Sequence, residues 1–336
     1  MKKKLSALVN SLDLFSLFNA FTRSKVPVFL MHHFCGPDDS GGGPLPPMSA
    51  DSLDECLGYL KRNDYSVISL SEYVDGLIKG SHSYKSVVFT VDDGYEDFYE
   101  YAYPVFKKYN MPATIFLVSD FVEGKIRLWW DVIELAISDT TEGELNIDLN
   151  GEKMQYPLGS NDEKSYAINR ITEYCKMVPD DKRRSVIESI LSALGDPPTE
   201  GTPKALDWDR ILRMNDNKIE FFPHTKTHPI LSRCSEEVIA HEVSESKRII
   251  EMKLGKSANI FSYPNGRNID FDGRAISELK QSGYVAAFTA EEGYDDASER
   301  VDLFRLRRFF FPEDFTMFKR LISGFEAFRM RTRKFV

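Results

Sequence analysis

Six residues, Ser86-Val87-Val88-Phe89-Thr90-Val91, run without a charge into Asp92-Asp93-Gly94. A largely apolar run of that length, closed by a turn signal, predicts a strand buried on both faces. Strands of that kind belong to parallel sheets covered by helices, and such folds place their chemistry at the strands' carboxyl ends. Side chains alternate along a strand, so Asp92 and Asp93 serve one site only if the chain bends at Gly94. Taken alone, the acids also admit a plainer role, an Asp capping a helix within Tyr95 to Tyr109.

The flanking sequence repeats the pattern. Val26 to Phe34 reads as a first strand, with Pro27 limiting pairing at its start and His32 and His33 near its end. The glycine- and proline-rich stretch from Gly36 to Pro47 is too irregular for an element and is a candidate flap over a site. Ser52 to Asn63 reads as a helix with Leu53, Cys56, Leu57 and Leu60 on one face, Tyr65 to Leu70 as a strand, and Ser71 to Lys79 as a helix capped by Ser71. Ala113 to Val118 is a further strand. Beyond residue 205, strands are expected at Lys218 to Phe222, Ile260 to Gly266, Val285 to Thr289 and Leu306 to Phe311. Helices fall between them, at Trp208 to Asn215, Ser235 to Lys253 and Ala275 to Ser282. Strand and helix in alternation predict parallel strands in a barrel or an open sheet.

The rhythm breaks between about residues 124 and 205. There Leu128-Trp129-Trp130-Asp131 opens a helix, and Asn150-Gly151 marks a hairpin within Leu145 to Pro157. Two amphipathic helices follow, near Glu163 to Met177 and Asp180 to Leu194, before a Gly195 to Pro203 linker. The expected organisation is an amphipathic N-terminal helix over 1–24, a domain over 25–324 carrying this insertion, and a basic tail over 325–336.

With 336 residues, 42% hydrophobic and 28% charged, the chain has the bulk for one large domain with an insertion. A net charge of −9 argues against a general nucleic-acid binder. Cys35, Cys56, Cys175 and Cys234 lack CxxC spacing and read as free thiols of a reducing compartment. No apolar run reaches the length of a membrane span. Met1-Lys2-Lys3-Lys4 imitates the start of a signal peptide, but Asn10, Ser11 and Asp13 interrupt the apolar stretch, so the expected location is cytoplasmic. Leu5, Leu8, Val9, Leu12, Phe15, Phe18 and Phe21 at one end, and Phe325 and Phe328 among Arg329, Arg331, Arg333 and Lys334 at the other, suit peripheral contact with the inner face of an anionic membrane. A packing helix and a frayed tail are the alternative.

A second chemical cluster follows the Lys218–Phe222 strand. His224 and His228 are four residues apart, which puts both imidazoles on one face of a helical turn. Pro223 and Pro229 predict a rigid loop containing one such turn. Such a pair alone is more often structural; with Asp93 from another strand end it makes a His₂-carboxylate site for a divalent cation, leaving positions for water and substrate. That set suits hydrolysis.

Phe89-Thr90-Val91-Asp92-Asp93-Gly94, His224-Thr225-Lys226-Thr227-His228-Pro229 and Ser262-Tyr263-Pro264-Asn265-Gly266 together resemble three ordered motifs of the polysaccharide deacetylases, the NodB-homology or carbohydrate esterase family 4 group. The resemblance covers about Val26 to Ser323. Trp129-Trp130-Asp131 and Leu206-Asp207-Trp208-Asp209 are similar to a branch linked to surface-polysaccharide synthesis. It implies a distorted (β/α) barrel of about seven parallel strands and removal of an N-acetyl group from an amino sugar in a polysaccharide, oligosaccharide or lipid-linked precursor. It further implies a divalent metal, commonly zinc, on Asp93, His224 and His228, with Asp92 as the base that activates the attacking water. The backbone N–H of Tyr263 would face the oxyanion, and Pro264, Asn265 and Trp208 would meet substrate.

Two departures stand out. Ser262 occupies the place of the family's usual third-motif arginine, leaving Arg267, Arg307 or Arg308 to orient the base. No histidine follows His241 to supply the usual late general acid. Rearranged relatives carry a Tyr-His at the end of the first strand. This makes His33 the candidate acid, with His32, in the tyrosine's place, the alternative. His82 and His241 read as surface residues. Rival readings are hydrolysis of a non-sugar amide on the same site, and a retired enzyme that only binds glycans.

Overall fold

The computed structural model describes residues 14–22, 24–36, 47–82, 84–149, 151–198 and 202–333. The expected flap over 37–46 and the start of the N-terminal helix lie outside them. Five parallel strands form one ladder in the order Phe309–Phe310, Val28–Met31, Ser86–Val91, Ala113–Leu117, Ile219–Pro223, and the short Ser66–Val67 strand pairs with the start of Ser86–Val91. Ile260–Ser262 and Ala286–Phe288 pair in parallel with each other, and a bridge from Phe288 to Leu306 leads back toward Phe309. Seven parallel strands thus circle a common interior in an α/β barrel. Among the described residues no ladder joins Ile219–Pro223 to Ile260–Ser262, and the ring is open there.

All six residues of Ser86–Val91 are buried, as the apolar run requires. Alternation divides their roles. Phe89 packs against Phe29 and the edge of Phe106, on the Tyr103–Tyr109 helix. Thr90, on the opposite face, donates its hydroxyl to the Phe29 carbonyl at 2.7 Å, and Asp92 follows two residues on.

Several expected boundaries move for local reasons. Ser69, not Ser71, caps the Leu70–Lys79 helix by accepting from Glu72 N, so the strand before it shortens to Ser66–Val67. The first strand breaks at His32 and His33 into Val28–Met31 and Phe34–Cys35, the latter paired with Met48–Ser49. The helix expected from Tyr95 opens as a π turn, Phe98–Ala102, and becomes α at Tyr103–Tyr109, where Pro104 has no N–H to give the preceding turn. His82 is not a surface residue; its ring stacks on buried Tyr73 at 5.0 Å, in space left by Gly76. His241 is exposed, as expected.

The insertion comprises the Trp129–Asp139 helix, an antiparallel hairpin of Glu144–Leu149 and Glu152–Pro157, and the Asn161–Met177 and Asp180–Leu194 helices. It has its own apolar core, in which Ile133, Ile137, Leu145, Ile171 and Ile190 meet. Its returning chain is stitched to the motif turn: Leu206 N donates to Gly94 O, and Glu96 N to Lys204 O. At the termini, Phe15 and Phe18 of the 3₁₀ helix Leu14–Thr22 pack against Phe325, which opens a helix, Phe325–Arg333, where a tail was expected. No helix among the described residues is long and apolar enough to cross a membrane. All four cysteines are buried.

Candidate active site

The Ser86–Val91 strand delivers Asp92 into the barrel, where its N–H donates to Met31 O at 3.0 Å. The chain then turns sharply, and the turn starts one residue earlier than the glycine suggests. Asp93 has φ 75° and Gly94 φ 90°. An L side chain in the left-handed region is strained, so Asp93 is held there by its surroundings, among them Val118 N, which donates to its carbonyl. A β-carbon at Gly94 would lie 2.7 Å from Leu117 Cδ2. The turn brings both carboxylates to one cavity, which neither strand alternation nor a helix cap would do.

His224 and His228 come from the end of Ile219–Pro223. The expected helical turn between them is absent. Thr225 (φ 67°) and His228 (φ 59°) are left-handed instead, and Pro229 disfavours the helical conformation at His228. Glu242, buried on the Glu236–Leu254 helix, accepts hydrogen bonds from Lys226 N, Thr227 N and Thr227 Oγ1 at 2.9, 2.7 and 2.7 Å, and so fixes the loop. His224 Nδ1 meets Ser262 O at 2.8 Å, spanning the open seam of the barrel. That bond assigns the proton to Nδ1 and frees Nε2 as a ligand.

Asp93, His224 and His228 converge. Asp93 Oδ1 lies 3.5 Å from His224 Nε2 and 3.4 Å from His228 Nε2, and the two Nε2 atoms are 3.2 Å apart. Asp93 Oδ1 is buried and accepts no hydrogen bond among the described residues. Burial holds both imidazoles below their ordinary pKa and hence neutral, while burial and the Asp92 charge push Asp93 well up. One neutral imidazole pair and one carboxylate short of positive charge fit a divalent cation.

Arg308 resolves the question of the missing third-motif arginine. Its Nη1 donates to Asp92 Oδ1 at 2.7 Å and its Nη2 to Asp92 Oδ2 at 2.9 Å, with further bonds to Thr90 Oγ1, Ser262 Oγ and Thr289 O. The small Ser262 side chain leaves room for this fork and itself donates to Asp92. Burial works to raise the Asp92 carboxyl, but Arg308, with His224, outweighs it and holds the group at about 2. Arg267 and Arg307, the other candidates, pair with Asp270 and Asp295 instead.

His33 lines the same cavity. Its Nδ1 meets Asp97 Oδ2 at 2.7 Å and its ring lies 4.0 Å from that of Tyr95, leaving Nε2 as the other ring nitrogen. Burial lowers His32 to about 4, so near pH 7 its imidazole lacks the second proton that a histidine general acid gives. Of the four expected substrate contacts only Asn265 (φ 60°) lines the cavity. The Tyr263 N–H is committed to Phe288 O at 3.0 Å, within the pairing of the last two barrel strands before Leu306, and cannot face an oxyanion. Pro264 is buried beside it. Trp208 shares a helix face with buried Ile211 and Met214, packs on the main core and carries Lys253 over its ring at 5.3 Å.

The cavity has a volume of about 920 Å³, and the insertion builds one wall with Trp129, Trp130, Asp131, Glu134 and Lys176. Trp130 Nε1 donates to Tyr95 Oη, which donates to Asp131 Oδ2. Burial raises Asp131 to about 7. Glu242, Asp97 and Tyr95 were not foreseen. Glu242 was legible in principle, as a carboxylate on the face of its helix that carries Ile239, Val243 and Ile249.

Comparison with known proteins agrees with this geometry. The family model for polysaccharide deacetylase matches residues 79–287. YxkH of Bacillus subtilis strain 168, whose name carries a provisional assignment to the polysaccharide deacetylases, is 35% identical over 106 residues, 31% of this chain and 36% of its own length. A poly-β-1,6-N-acetyl-D-glucosamine N-deacetylase of Staphylococcus aureus is 35% identical over 75 residues, 22% of this chain. The chain thus spans only 36% and 26% of the lengths of these relatives. In three dimensions the chain is similar to the deacetylase PplD of Streptococcus pyogenes, solved with acetate, at TM-score 0.58 and 20% identity over 86% of this chain and 93% of that one.

Proposed function

The chain belongs to the polysaccharide deacetylase family, and from that membership we propose that it hydrolyses the N-acetyl group of an amino sugar within a glycan. The observation that carries the proposal is the division of two adjacent carboxylates. Asp92 is locked to Arg308, and Asp93 faces His224 and His228. A divalent cation, zinc by donor set, would be held by Asp93, His224 and His228; when bound it supplies Lewis acidity toward the carbonyl and a lowered pKa for water.

The chain's own groups account for the proton movements. Asp92, ionised beside Arg308, takes a proton from the attacking water as its oxygen bonds to the acetyl carbon. Asn265, on the cavity wall, would face the carbonyl oxygen as it gathers charge, a role that the paired Tyr263 N–H cannot take. His33, oriented by Asp97, gives a proton to the departing nitrogen as the C–N bond breaks, releasing acetate and a free amine. The Trp-bearing wall and the cavity's size favour a saccharide over a small non-sugar amide. The complete set of Asp92, Arg308, Asp93, His224 and His228 favours catalysis over glycan binding alone.

Incubation with N-acetylglucosamine oligosaccharides, before and after metal removal, tests this. Acetate should appear, stop with chelator and return with zinc. Persistent acetate release in the stripped protein would overturn the proposal.

A further inference from the structure

Resting on the metal reading above, we infer that the insertion is part of the metal centre, with Arg183 on the Asp180–Leu194 helix as a positioning residue for His228. The two histidines are held in different ways. His224 is oriented through its ring, by the bond from Nδ1 to Ser262 O. The His228 Nδ1, buried, finds no partner in another residue among the described residues. Metal-binding imidazoles depend on such a second bond for their orientation, so His228 must be fixed by other means.

Two of the contacts that do this come from the insertion. Arg183, 5% exposed, donates from Nη1 to the His228 carbonyl at 3.2 Å. The Trp130 ring stands edge-on to the His228 ring with centroids 4.5 Å apart. Arg183 is itself fixed, by Asp180 Oδ1 at 2.5 Å and by the Trp129 ring 5.2 Å from its guanidinium carbon. The clamp acts on a backbone that needs one. His228 is left-handed and precedes a proline, a costly conformation that persists only when neighbours over-determine it. On the other side of the residue, His228 N donates to Thr225 Oγ1 at 3.0 Å. Arg183 thus closes the carbonyl side of a residue whose amide side is closed from within the loop. The insertion therefore sets the cation affinity of the barrel as well as walling the cavity.

The test is the zinc dissociation constant of the full chain, by chelator competition, for wild type and Arg183→Met. Losing an outer partner of a ligand typically weakens metal binding ~10–100-fold, and that loss is expected here. At saturating zinc the KM for an N-acetylated oligosaccharide should be unchanged, and the visible spectrum of the cobalt-loaded variant should differ from wild type. Arg183→Lys should recover part of the affinity. Arg184→Ala, which removes the exposed neighbour paired with the same Asp180, should leave it unchanged. If Arg183→Met does not fold, Trp130→Leu should show the same loss of affinity. Wild-type affinity in either folded variant overturns this inference alone, whereas a wild-type chain that binds no zinc overturns the metal reading and this inference with it.

Discussion

Arg308 and Asp92, 216 residues apart in the chain, meet in a two-pronged ion pair at 2.7 and 2.9 Å inside the barrel, with both side chains almost wholly buried. The pair joins the last strand of the ring to the strand carrying the aspartates, and it is what keeps a buried carboxylate ionised. Removing one partner leaves the other charge stranded, typically at a cost of ~3–5 kcal/mol. Arg308→Met should therefore destabilise the protein. The Asp92 carboxyl should also rise from its depressed value, moving the acid limb of kcat/KM to higher pH. Arg308→Lys keeps the charge but not the fork, so it should restore part of the activity with an intermediate limb. A pH profile of acetate release checks both.

His33→Ala should lower kcat ~10²–10⁴-fold, the usual contribution of a general acid, while the bound metal stays at the wild-type level. Asp97→Asn should fall between the two, since it removes only the group that orients the imidazole. Steady-state kinetics beside metal analysis separates these effects from loss of the site.

Glu242→Gln tests the His loop. A neutral amide lacks the charge that strengthens all three bonds and must turn the Thr227 bond around, its NH₂ donating to Oγ1; hydrogen bonds to charged groups are worth ~1.5–3 kcal/mol each, neutral ones ~0.5–1.5 kcal/mol. Chemical denaturation should show a loss of at least ~1.5 kcal/mol, together with weaker zinc binding.

Asp131 gives a pH signature in the metal-free protein. Its folded pKa is about 7 against an ordinary 3.8, so between those values the folded state holds a proton that the unfolded state has lost. Its contribution to stability therefore falls as pH rises from 4 through 7, by at most ~4 kcal/mol. Asp131→Asn keeps an acceptor for the Tyr95 hydroxyl and removes the titration. Unfolding curves of the variant and wild type should diverge over that range in the variant's favour; parallel curves would contradict the assignment.

Much of this was legible because periodicity and turn chemistry are local. The buried run into Asp92-Asp93-Gly94, the alternation of strands and helices, and the hairpin and helices between Trp129 and Leu194 follow from neighbours in sequence. Local signals also misled. Ser71 looked like a cap, but Ser69 is placed so that Leu70 can bury in the first turn. The four-residue spacing of His224 and His228 suggested a helical turn, whereas two left-handed residues bring the rings together. Trp208 looked like a substrate contact, but its helix turns it to the core. The Tyr263 N–H looked free only because strand pairing with Phe288 is invisible in one dimension. Arg308 could not be singled out from Arg267 and Arg307, because the choice depends on which strand closes the barrel beside Ser262.

The separate jobs of the adjacent aspartates are the centre of this account, and one paired measurement reads them directly: bound zinc and acetate release, determined together for Asp92→Asn and Asp93→Asn. Asp92→Asn should hold one zinc per chain and release no acetate above background, while Asp93→Asn should lose both. Zinc loss in Asp92→Asn with retention in Asp93→Asn, or undiminished acetate release from Asp92→Asn, would contradict it.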